Sequence, residues 1–375
     1  MQSQTRVVEP LLAIAFILGA AIDSQLEQIE VQKKVAFTAG PALRFIGRIA
    51  NQVHFEKRGR QDRWLAVLFH HITDGVRWRP NDPLIRGLNV DIAAGAFEAR
   101  MRWLTGRYEI VSLDDVIRPD PTPTNRQKLL ICFDDGYASV FELAAPILRA
   151  LGVPWCLFIN PRFVGSSALP VDNLVSYIAN VHGIEQLACI AGRPIDMRAF
   201  IGEYLSQMPP DQRRNLVEDL AVKLGIDTAA LARESRLHLD ERQIRLLAES
   251  EVEIGNHTFD HIHCRSLDPT TAAAQIEESA RVVGRLSGRA VRAFAYPYGS
   301  ITDAIPVARR AIENSGHRCA FLVHNRANSN GTDRYGLFRV DLGEMDDARA
   351  ALELEVLPRM RGALARMKTV LGSRP

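Results

Sequence analysis

The sequence predicts a parallel α/β fold, either a barrel or a wound sheet, with a helical insertion. Short apolar runs recur along the chain, and segments with helical spacing of apolar residues separate them. The run at 129–133 is apolar throughout, which is typical of a strand that helices cover on both faces. Polar residues follow several of these runs, at the strand ends where sites form in parallel architectures.

The apolar runs predict the individual strands, and the helical spacing of apolar residues predicts the individual helices. The segment 96–104 is predicted to be helical because its apolar residues share one face, and 139–151 is predicted as a helix that Gly152 ends. From 160 to 240, helical segments separated by Gly and Pro replace the strand pattern, which indicates the insertion. Strands are predicted at 65–69, 108–113, 129–133, 153–159, 252–255, 291–296, 319–323 and 336–340, and further helices at 171–181, 197–207, 212–224, 229–236, 241–249, 271–286 and 304–314.

The composition is that of an ordinary globular enzyme, and the length allows one large domain with additions or two domains. The chain has 375 residues, of which 47% are hydrophobic and 24% are charged. Its net charge of +2 gives no reason to expect a nucleic-acid partner. The five cysteines show no C-x-x-C spacing, so buried thiols are predicted in place of a disulfide framework.

Both ends of the chain are predicted to be helical additions to a central domain at 64–342. The N-terminal extension 1–63 contains the apolar segment 11–22, which is too short for an ordinary spanning helix. It is either an export or membrane-anchoring segment or, as we favour, a short amphipathic or buried helix. A cytoplasmic or membrane-associated protein is therefore expected, with export left open. The tail 343–375 ends in a basic stretch, for which a solvated face is favoured over a membrane or partner contact.

Two groups of polar residues carry the chemistry. Asp134 and Asp135 come directly after the run at 129–133, and His257 and His261 follow another strand. The histidines are four apart, so we expect a helical turn that places both imidazoles on one face. Two imidazoles and one carboxylate form the three-ligand set of a catalytic zinc site with an open position for water. The second carboxylate is then free to take a proton from that water.

These residues and a third segment resemble the successive motifs of the polysaccharide deacetylases, which form carbohydrate esterase family 4 (the nodulation-type, or NodB, domain). The motif residues are Phe133-Asp134-Asp135-Gly136, His257-Thr258-Phe259-Asp260-His261 and Phe294-Ala295-Tyr296-Pro297-Tyr298-Gly299. The resemblance covers about 64–342, with 160–240 outside the motifs. It implies an irregular (β/α)7 barrel of the polysaccharide deacetylase type and hydrolysis of the N-acetyl group of an N-acetylhexosamine.

The resemblance also implies roles for single residues. Asp134 corresponds to the general base, and Asp135, His257 and His261 correspond to the metal ligands. The main-chain N–H of Tyr298 would help to hold the oxyanion. Thr258 matches a hydroxyl that braces the histidine loop, Pro297 shapes the turn before Tyr298, and Tyr296 and Pro297 are placed with Tyr298 as substrate-binding residues.

The general acid and the partner of the base remain open. The related branch carries the acid on its N-terminal strand, which favours His70, with His324 as the alternative; His71 is predicted to face away, and His263 to be a bystander or a supporting group. Many members have an Arg-Pro-Pro-Tyr motif whose arginine orients the base, but here the sequence reads Ala-Tyr-Pro-Tyr. Arg292 is a candidate replacement, although a solvated role is favoured for it.

We therefore predict a hydrolase of carbon–nitrogen bonds other than peptide bonds, a polysaccharide N-deacetylase. Its cofactor would be a divalent metal ion, with Zn2+ favoured over Co2+, Ni2+ or Mn2+. Its partner would be an N-acetylated glycan, such as a chitooligosaccharide, an exopolysaccharide or peptidoglycan. Two alternatives are a catalytically silent glycan-binding member of the fold and a metal-dependent amidase or esterase acting on a non-sugar substrate.

Overall fold

The computed structural model describes residues 63–118, 126–165, 168–250, 252–343 and 345–356. The strands are β1 (Arg63–Phe69), β2 (His71–Thr73), β3 (Asp91–Ala93), β4 (Glu109–Ile110), β5 (Lys128–Phe133), β6 (Cys156–Ile159), β7 (Glu253–Asn256), β8 (Ala293–Ala295), β9 (Cys319–Val323), β10 (Asn328–Ser329) and β11 (Leu337–Asp341).

The α-helices are α1 (Ala94–Arg107), α2 (Leu113–Ile117), α3 (Ala145–Leu151), α4 (Val171–Tyr177), α5 (Glu185–Ala191), α6 (Met197–Ala199), α7 (Pro210–Lys223), α8 (Thr228–Ser235), α9 (Glu241–Glu249), α10 (Pro269–Ala272), α11 (Ser279–Ser287), α12 (Pro306–Asn314) and α13 (Asp347–Ala351). Several of them join π-helical turns, at Val140–Ala144, Ile178–His182, Phe200–Tyr204, Ala273–Glu278 and Leu352–Val356. Within the described ranges, every helix is too short or too polar to span a bilayer.

Seven parallel strands close into a barrel. They follow one another in the order β1, β5, β6, β7, β8, β9 and β11, and β11 pairs again with β1. The pairing of β1 with β5 runs over six residues, from Trp64 with Lys128 to Phe69 with Phe133. β10 and β4 add short pairings to β1 and β5, and β2 and β3 form a separate two-stranded sheet. The predicted (β/α)7 barrel is confirmed.

The barrel strands are buried on both faces, as the apolar runs indicate. Alternate residues, including Leu130, Cys132 and Phe158, form a core inside the barrel. The residues between them face the outer helices, and the rings of Phe69 and Phe133 lie 5.7 Å apart there. This alternation also decides which side chains at the strand ends point inward, because successive residues of a strand face opposite sides.

The segment between β6 and α9 is helical, as predicted, and has a core of its own. Helices α4 to α8 lie there, and their buried residues include Leu174, Phe200, Leu205 and Val217. We call these five helices and their connections the insertion. It lies next to the carboxyl end of β6, so it is placed beside the end of the barrel at which the polar residues gather.

Some predicted elements need correction. Leu113 begins helix α2 and does not extend a strand, because Ser112 and Asp115 form a reciprocal capping box at this point. The structure adds β2, β3, β10 and helix α5, for which no element was predicted. Residues 345–356 belong to a separate compact unit, and 347–356 are helical. The predictions for 1–62 and for 357–375 lie outside the described residues.

Candidate active site

Asp134 lies at the carboxyl end of β5 and points into the barrel. It shares its side of the strand with Cys132, and its side chain is only 4% exposed. Arg339 on β11 also points inward and is fully buried. Its Nη1 and Nη2 donate to the two carboxylate oxygens of Asp134 at 2.6 and 2.7 Å. Burial alone would raise the pKa of Asp134, but the guanidinium outweighs it and lowers the pKa, so the carboxylate is ionised.

Asp135, the next residue, lies against both histidines. Its Oδ1 lies 3.4 Å from Nε2 of His257 and 3.3 Å from Nε2 of His261. This oxygen is buried and has no hydrogen-bond partner. The backbone is left-handed at Asp135 (φ 69°) and Gly136 (φ 67°), so the alternation of the strand ends here and both carboxylates line the same cavity. Burial would raise the pKa of Asp135, but the imidazoles of His261 and His257 lower it.

Hydrogen bonds set the tautomer of both imidazoles. Nδ1 of His257 donates to the carbonyl oxygen of Ala295, at 2.8 Å. Nδ1 of His261 donates to the carboxylate of Asp172, at 3.1 Å. Because each Nδ1 donates, Nε2 is the nitrogen that faces Asp135, and it carries the lone pair when the imidazole is neutral. Burial would lower the pKa of His261, but Asp135 and then Asp172 raise it.

These three residues fit a divalent metal ion. One ligand atom from each lies within 4.8 Å of the others. In a tetrahedral site with zinc–ligand distances of about 2.0–2.1 Å, neighbouring ligand atoms are about 3.3 Å apart. The separations of 3.3 and 3.4 Å from Asp135 to the imidazoles match that value. The chemistry of these groups also fits a metal ion. Asp135 Oδ1 is buried without a hydrogen-bond partner, and each neutral imidazole carries its lone pair on Nε2.

The histidine pair lies on a loop, so the prediction of a helical turn is wrong. Thr258 (φ 62°) and His261 (φ 51°) are both left-handed, which a helix does not allow. The Thr258 hydroxyl accepts a hydrogen bond from the Ile262 N–H at 3.3 Å, across the bend that brings the imidazoles together. Asp135, Thr258, His261 and Tyr298 are four of the seven non-glycine residues with positive φ in the described ranges. Such strain is typical of functional sites.

The insertion contributes a carboxylate that sequence reasoning missed. Asp172, near the start of α4, accepts from His261 and also from the Tyr298 hydroxyl, at 2.7 Å. Arg213 on α7 lies 3.5 Å from the other oxygen of Asp172 and donates to the main-chain carbonyl of His261 at 3.0 Å. Burial would raise the pKa of Asp172, but Arg213 and then His261 lower it.

Tyr298 follows β8 and has a left-handed backbone (φ 61°). Its ring stacks on His263 with 3.8 Å between centroids and lies 4.7 Å from the His261 ring. Burial and then Asp172 raise the pKa of its hydroxyl well above the usual value, although Arg213 opposes the shift, so the hydroxyl keeps its proton. His263 itself contacts Asp303, with 3.4 Å between Nδ1 and Oδ2, and its ring supports that of Tyr298.

A cavity of about 490 Å3 opens at this end of the barrel. Asp134, Asp135, the imidazoles of His257 and His261, His70 and Tyr298 line it. The insertion supplies another part of its wall, with Pro170, Asp172, Asn173, Arg198, Ile201 and Gly202. The cavity therefore brings together the predicted base, ligands and acid, and its wall belongs partly to the insertion.

The two candidates for the general acid occupy different positions. His70 lies between β1 and β2 and lines the cavity, and its Nδ1 is buried without a hydrogen-bond partner. His324 lies against Phe338, with 5.6 Å between ring centroids, and is not among the described residues that line the cavity. His71 faces away, as predicted, and packs between Trp78 and Tyr137.

Four predicted site residues do not belong to the cavity lining: Thr258, which braces the histidine loop, and Tyr296, Pro297 and Arg292. Tyr296 is fully buried on the outer side of the barrel, because it shares the parity of Phe294, and its hydroxyl donates to the Tyr335 carbonyl. Pro297 is buried within the turn that it shapes. Arg292 precedes β8 at the opposite end of the barrel, where it pairs with Glu253 and Asp114 and therefore cannot orient the base.

Comparison with known proteins places these observations in a family. Residues 122–320, just over half of the chain, match the family model described as polysaccharide deacetylase. A Bacillus subtilis (strain 168) protein named "putative polysaccharide deacetylase YxkH" is 20% identical over 258 residues, which are 68% of this chain and 66% of the relative. The matched segment thus spans just under two thirds of that relative's length.

Two solved structures are similar in fold. One is the Streptococcus pyogenes deacetylase PplD in complex with acetate, with a TM-score of 0.52, 11% identity, and coverage of 78% of this chain and 98% of that chain. The other is a de-N-acetylase from Aggregatibacter actinomycetemcomitans, with a TM-score of 0.50, 17% identity, and coverage of 78% of this chain and 100% of that chain.

Proposed function

We propose that this chain, which belongs to the polysaccharide deacetylase family, removes N-acetyl groups from a glycan with the help of a bound divalent cation. As a member of that family it is a hydrolase acting on carbon–nitrogen bonds. The metal dependence, the residue roles and the identity of the glycan are the substance of the proposal. The observation that carries it is the convergence of Asp135, His257 and His261 beside the ionised Asp134.

Asp134 is the general base of the proposed reaction. It is ionised and is held by two hydrogen bonds from Arg339 at the wall of the cavity. A carboxylate fixed in this way can accept the proton of a water molecule as the water attacks the acetyl carbonyl. The cation that Asp135, His257 and His261 would hold supplies Lewis-acid polarisation of the carbonyl and lowers the pKa of bound water.

The remaining steps need a donor to the oxyanion and a donor to the departing amine. The main-chain N–H of Tyr298 is proposed for the oxyanion, and the left-handed turn at Tyr298 is held by the hydrogen bond to Asp172. His70 is proposed to protonate the amine, because it lines the cavity together with both carboxylates. The position of His324 against Phe338 favours His70 over it.

Arg339 weakens the case for a catalytically silent protein. That alternative gained support from the missing arginine of the Arg-Pro-Pro-Tyr motif, whose role is to orient the base. Here a bidentate arginine reaches Asp134 from β11. The ligand set of two imidazoles and one carboxylate favours Zn2+, with Co2+, Ni2+ and Mn2+ as the other ions to test.

The test is acetate release by the protein after removal of metal and reconstitution with each ion. Substrates are N-acetylglucosamine oligomers of the chitin and exopolysaccharide types, peptidoglycan, and simple acetyl esters. We expect release from at least one N-acetylated glycan, with about one ion bound per chain. Release from the esters alone would instead favour the non-sugar esterase.

Asp134→Asn tests the base directly. We expect the rate of acetate release to fall about 10²- to 10⁴-fold with metal retained, because the amide cannot accept the proton. His257→Ala should lose the metal. The control is Asp114→Asn at the other end of the barrel, where the carboxylate pairs with Arg292, and this variant should keep its rate. Full activity of Asp134→Asn would contradict the mechanism.

A further inference from the structure

We propose that Asp172, a carboxylate of the insertion, positions His261 for metal binding, so that the insertion is a working part of the metal site. This inference rests on the proposed function and assigns a task to a segment outside the family motifs. Its starting point is one hydrogen bond, from His261 Nδ1 to Asp172 Oδ2 at 3.1 Å. A carboxylate that accepts from the second nitrogen of a ligating histidine fixes its tautomer and makes it a better ligand.

The carboxylate of Asp172 is itself fixed from three sides. The Tyr298 hydroxyl donates to the same oxygen that His261 contacts, and Arg213 lies 3.5 Å from the other oxygen. All these groups are largely buried: the Asp172 side chain is 11% exposed and that of Arg213 is 3% exposed. Arg213 also donates to the main-chain carbonyl of His261, so both the ring and the backbone of this ligand contact the insertion.

Helix α4 holds Asp172 in place because it is anchored to a loop of the barrel unit. Asn173 donates to the carbonyl of Leu84 at 2.9 Å, and the Ser176 hydroxyl lies within hydrogen-bond distance of the carbonyls of Pro83 and Arg86 at 2.8 and 3.0 Å. On its other side the helix packs into the core of the insertion through Leu174 and Val175. The position of Asp172 is therefore set on both sides.

The experiment is a titration of the metal-free protein with Zn2+ in competition with a chromophoric chelator. The variant is Asp172→Asn, which keeps the size of the side chain and removes its charge. We expect about 10- to 100-fold weaker binding. The control Asp211→Asn retains the His261 contact and removes a surface carboxylate of α7 that pairs with Arg214. It should bind within a few-fold of the wild type.

A second readout separates positioning from general damage to the fold. Asp172→Asn should need about 10- to 100-fold more metal for half-maximal acetate release, while the rate at saturating metal changes much less. A damaged fold would lower the saturated rate as well, and that pattern would overturn the inference. Affinity equal to the wild type would also overturn it while leaving the proposed function intact. A wild-type protein that binds no metal would overturn both.

Discussion

The barrel and the insertion each hold one of the two imidazoles, and they do so by different means. The barrel holds His257 through a main-chain carbonyl of β8, at Ala295. The insertion holds His261 through a side chain, Asp172. A main-chain acceptor survives almost any substitution of its own residue, whereas a side-chain acceptor is lost by a single substitution. The contact that holds His257 is therefore insensitive to substitution at Ala295, whereas the contact that holds His261 depends on one side chain of the insertion.

The largest effect is expected from a substitution in the barrel, at the arginine that pairs with Asp134. Arg339→Met removes the counter-ion of the buried Asp134 and leaves the three proposed metal ligands untouched. We expect the rate of acetate release to fall about 10²- to 10⁴-fold. The free energy of unfolding should fall by about 3–5 kcal/mol, because a buried charge loses its partner. Kinetics at saturating metal and urea denaturation measure the two effects.

The matched variant is Arg339→Lys, which keeps the charge and loses the two-pronged contact with Asp134. It should fall between the wild type and Arg339→Met in both measurements. Metal affinity should stay within a few-fold in both variants, in contrast to Asp172→Asn. If Arg339→Met kept the wild-type rate, the base would not depend on the barrel interior as we describe it.

An effect of intermediate size is expected from a substitution in the core of the insertion. Phe200 is fully buried in the core of the insertion, and Phe200→Ala should cost about 3–5 kcal/mol of local stability. A loosened insertion should weaken metal binding in the same direction as Asp172→Asn. All four tryptophans precede the insertion, so their emission during urea denaturation reports on the barrel.

In Phe200→Ala the urea midpoint of the tryptophan-emission transition should change little. The control, Phe294→Ala, removes a fully buried ring from the outer face of the barrel and should clearly lower that urea midpoint. Unchanged metal affinity in Phe200→Ala would mean that the site does not need an ordered insertion.

The smallest expected effect sharpens the contrast between partnered and unpartnered imidazoles. His71 is buried outside the site, neither of its ring nitrogens has a hydrogen-bond partner, and burial lowers its pKa to about 3. The folded protein therefore keeps His71 neutral while the unfolded chain takes up a proton below about pH 6.5. Stability from this residue is present above that pH and is lost as the pH falls.

Between pH 7 and pH 5 this linkage amounts to about 2 kcal/mol. His71→Phe, which cannot titrate, should lose about that much less stability over the same interval, as measured by urea denaturation at both pH values. An equal loss in the wild type and the variant would show that His71 takes up a proton in the folded protein.

The sequence predicted the barrel half of the site better than the insertion half, for a physical reason. Asp134, Asp135, His257 and His261 follow apolar strands, and parallel strands bring their carboxyl ends to one edge. Asp172 has no such signal, because it lies in a helix 89 residues from its partner His261. It becomes a candidate only when tertiary packing shows which carboxylate reaches the imidazole.

Arg339 lies between these cases. A charged residue in the apolar run Leu-Phe-Arg-Val indicates a buried partner, although nothing local tells that the partner is Asp134, 205 residues away. Tyr296 shows the reverse failure, because its motif position suggested a substrate contact while strand parity turns it outward. The loop at His257 differs from the expected helical turn because spacing alone does not reveal left-handed backbone at Thr258 and His261.

The position of Arg339 on the last barrel strand has a consequence for synthesis of the chain. A ribosome delivers β5, β7 and β8 first, so both carboxylates and both imidazoles emerge while Asp134 still lacks its counter-ion. Only the docking of β11 between β9 and β1 supplies it. We therefore expect nascent chains to acquire activity abruptly, when β11 completes the barrel.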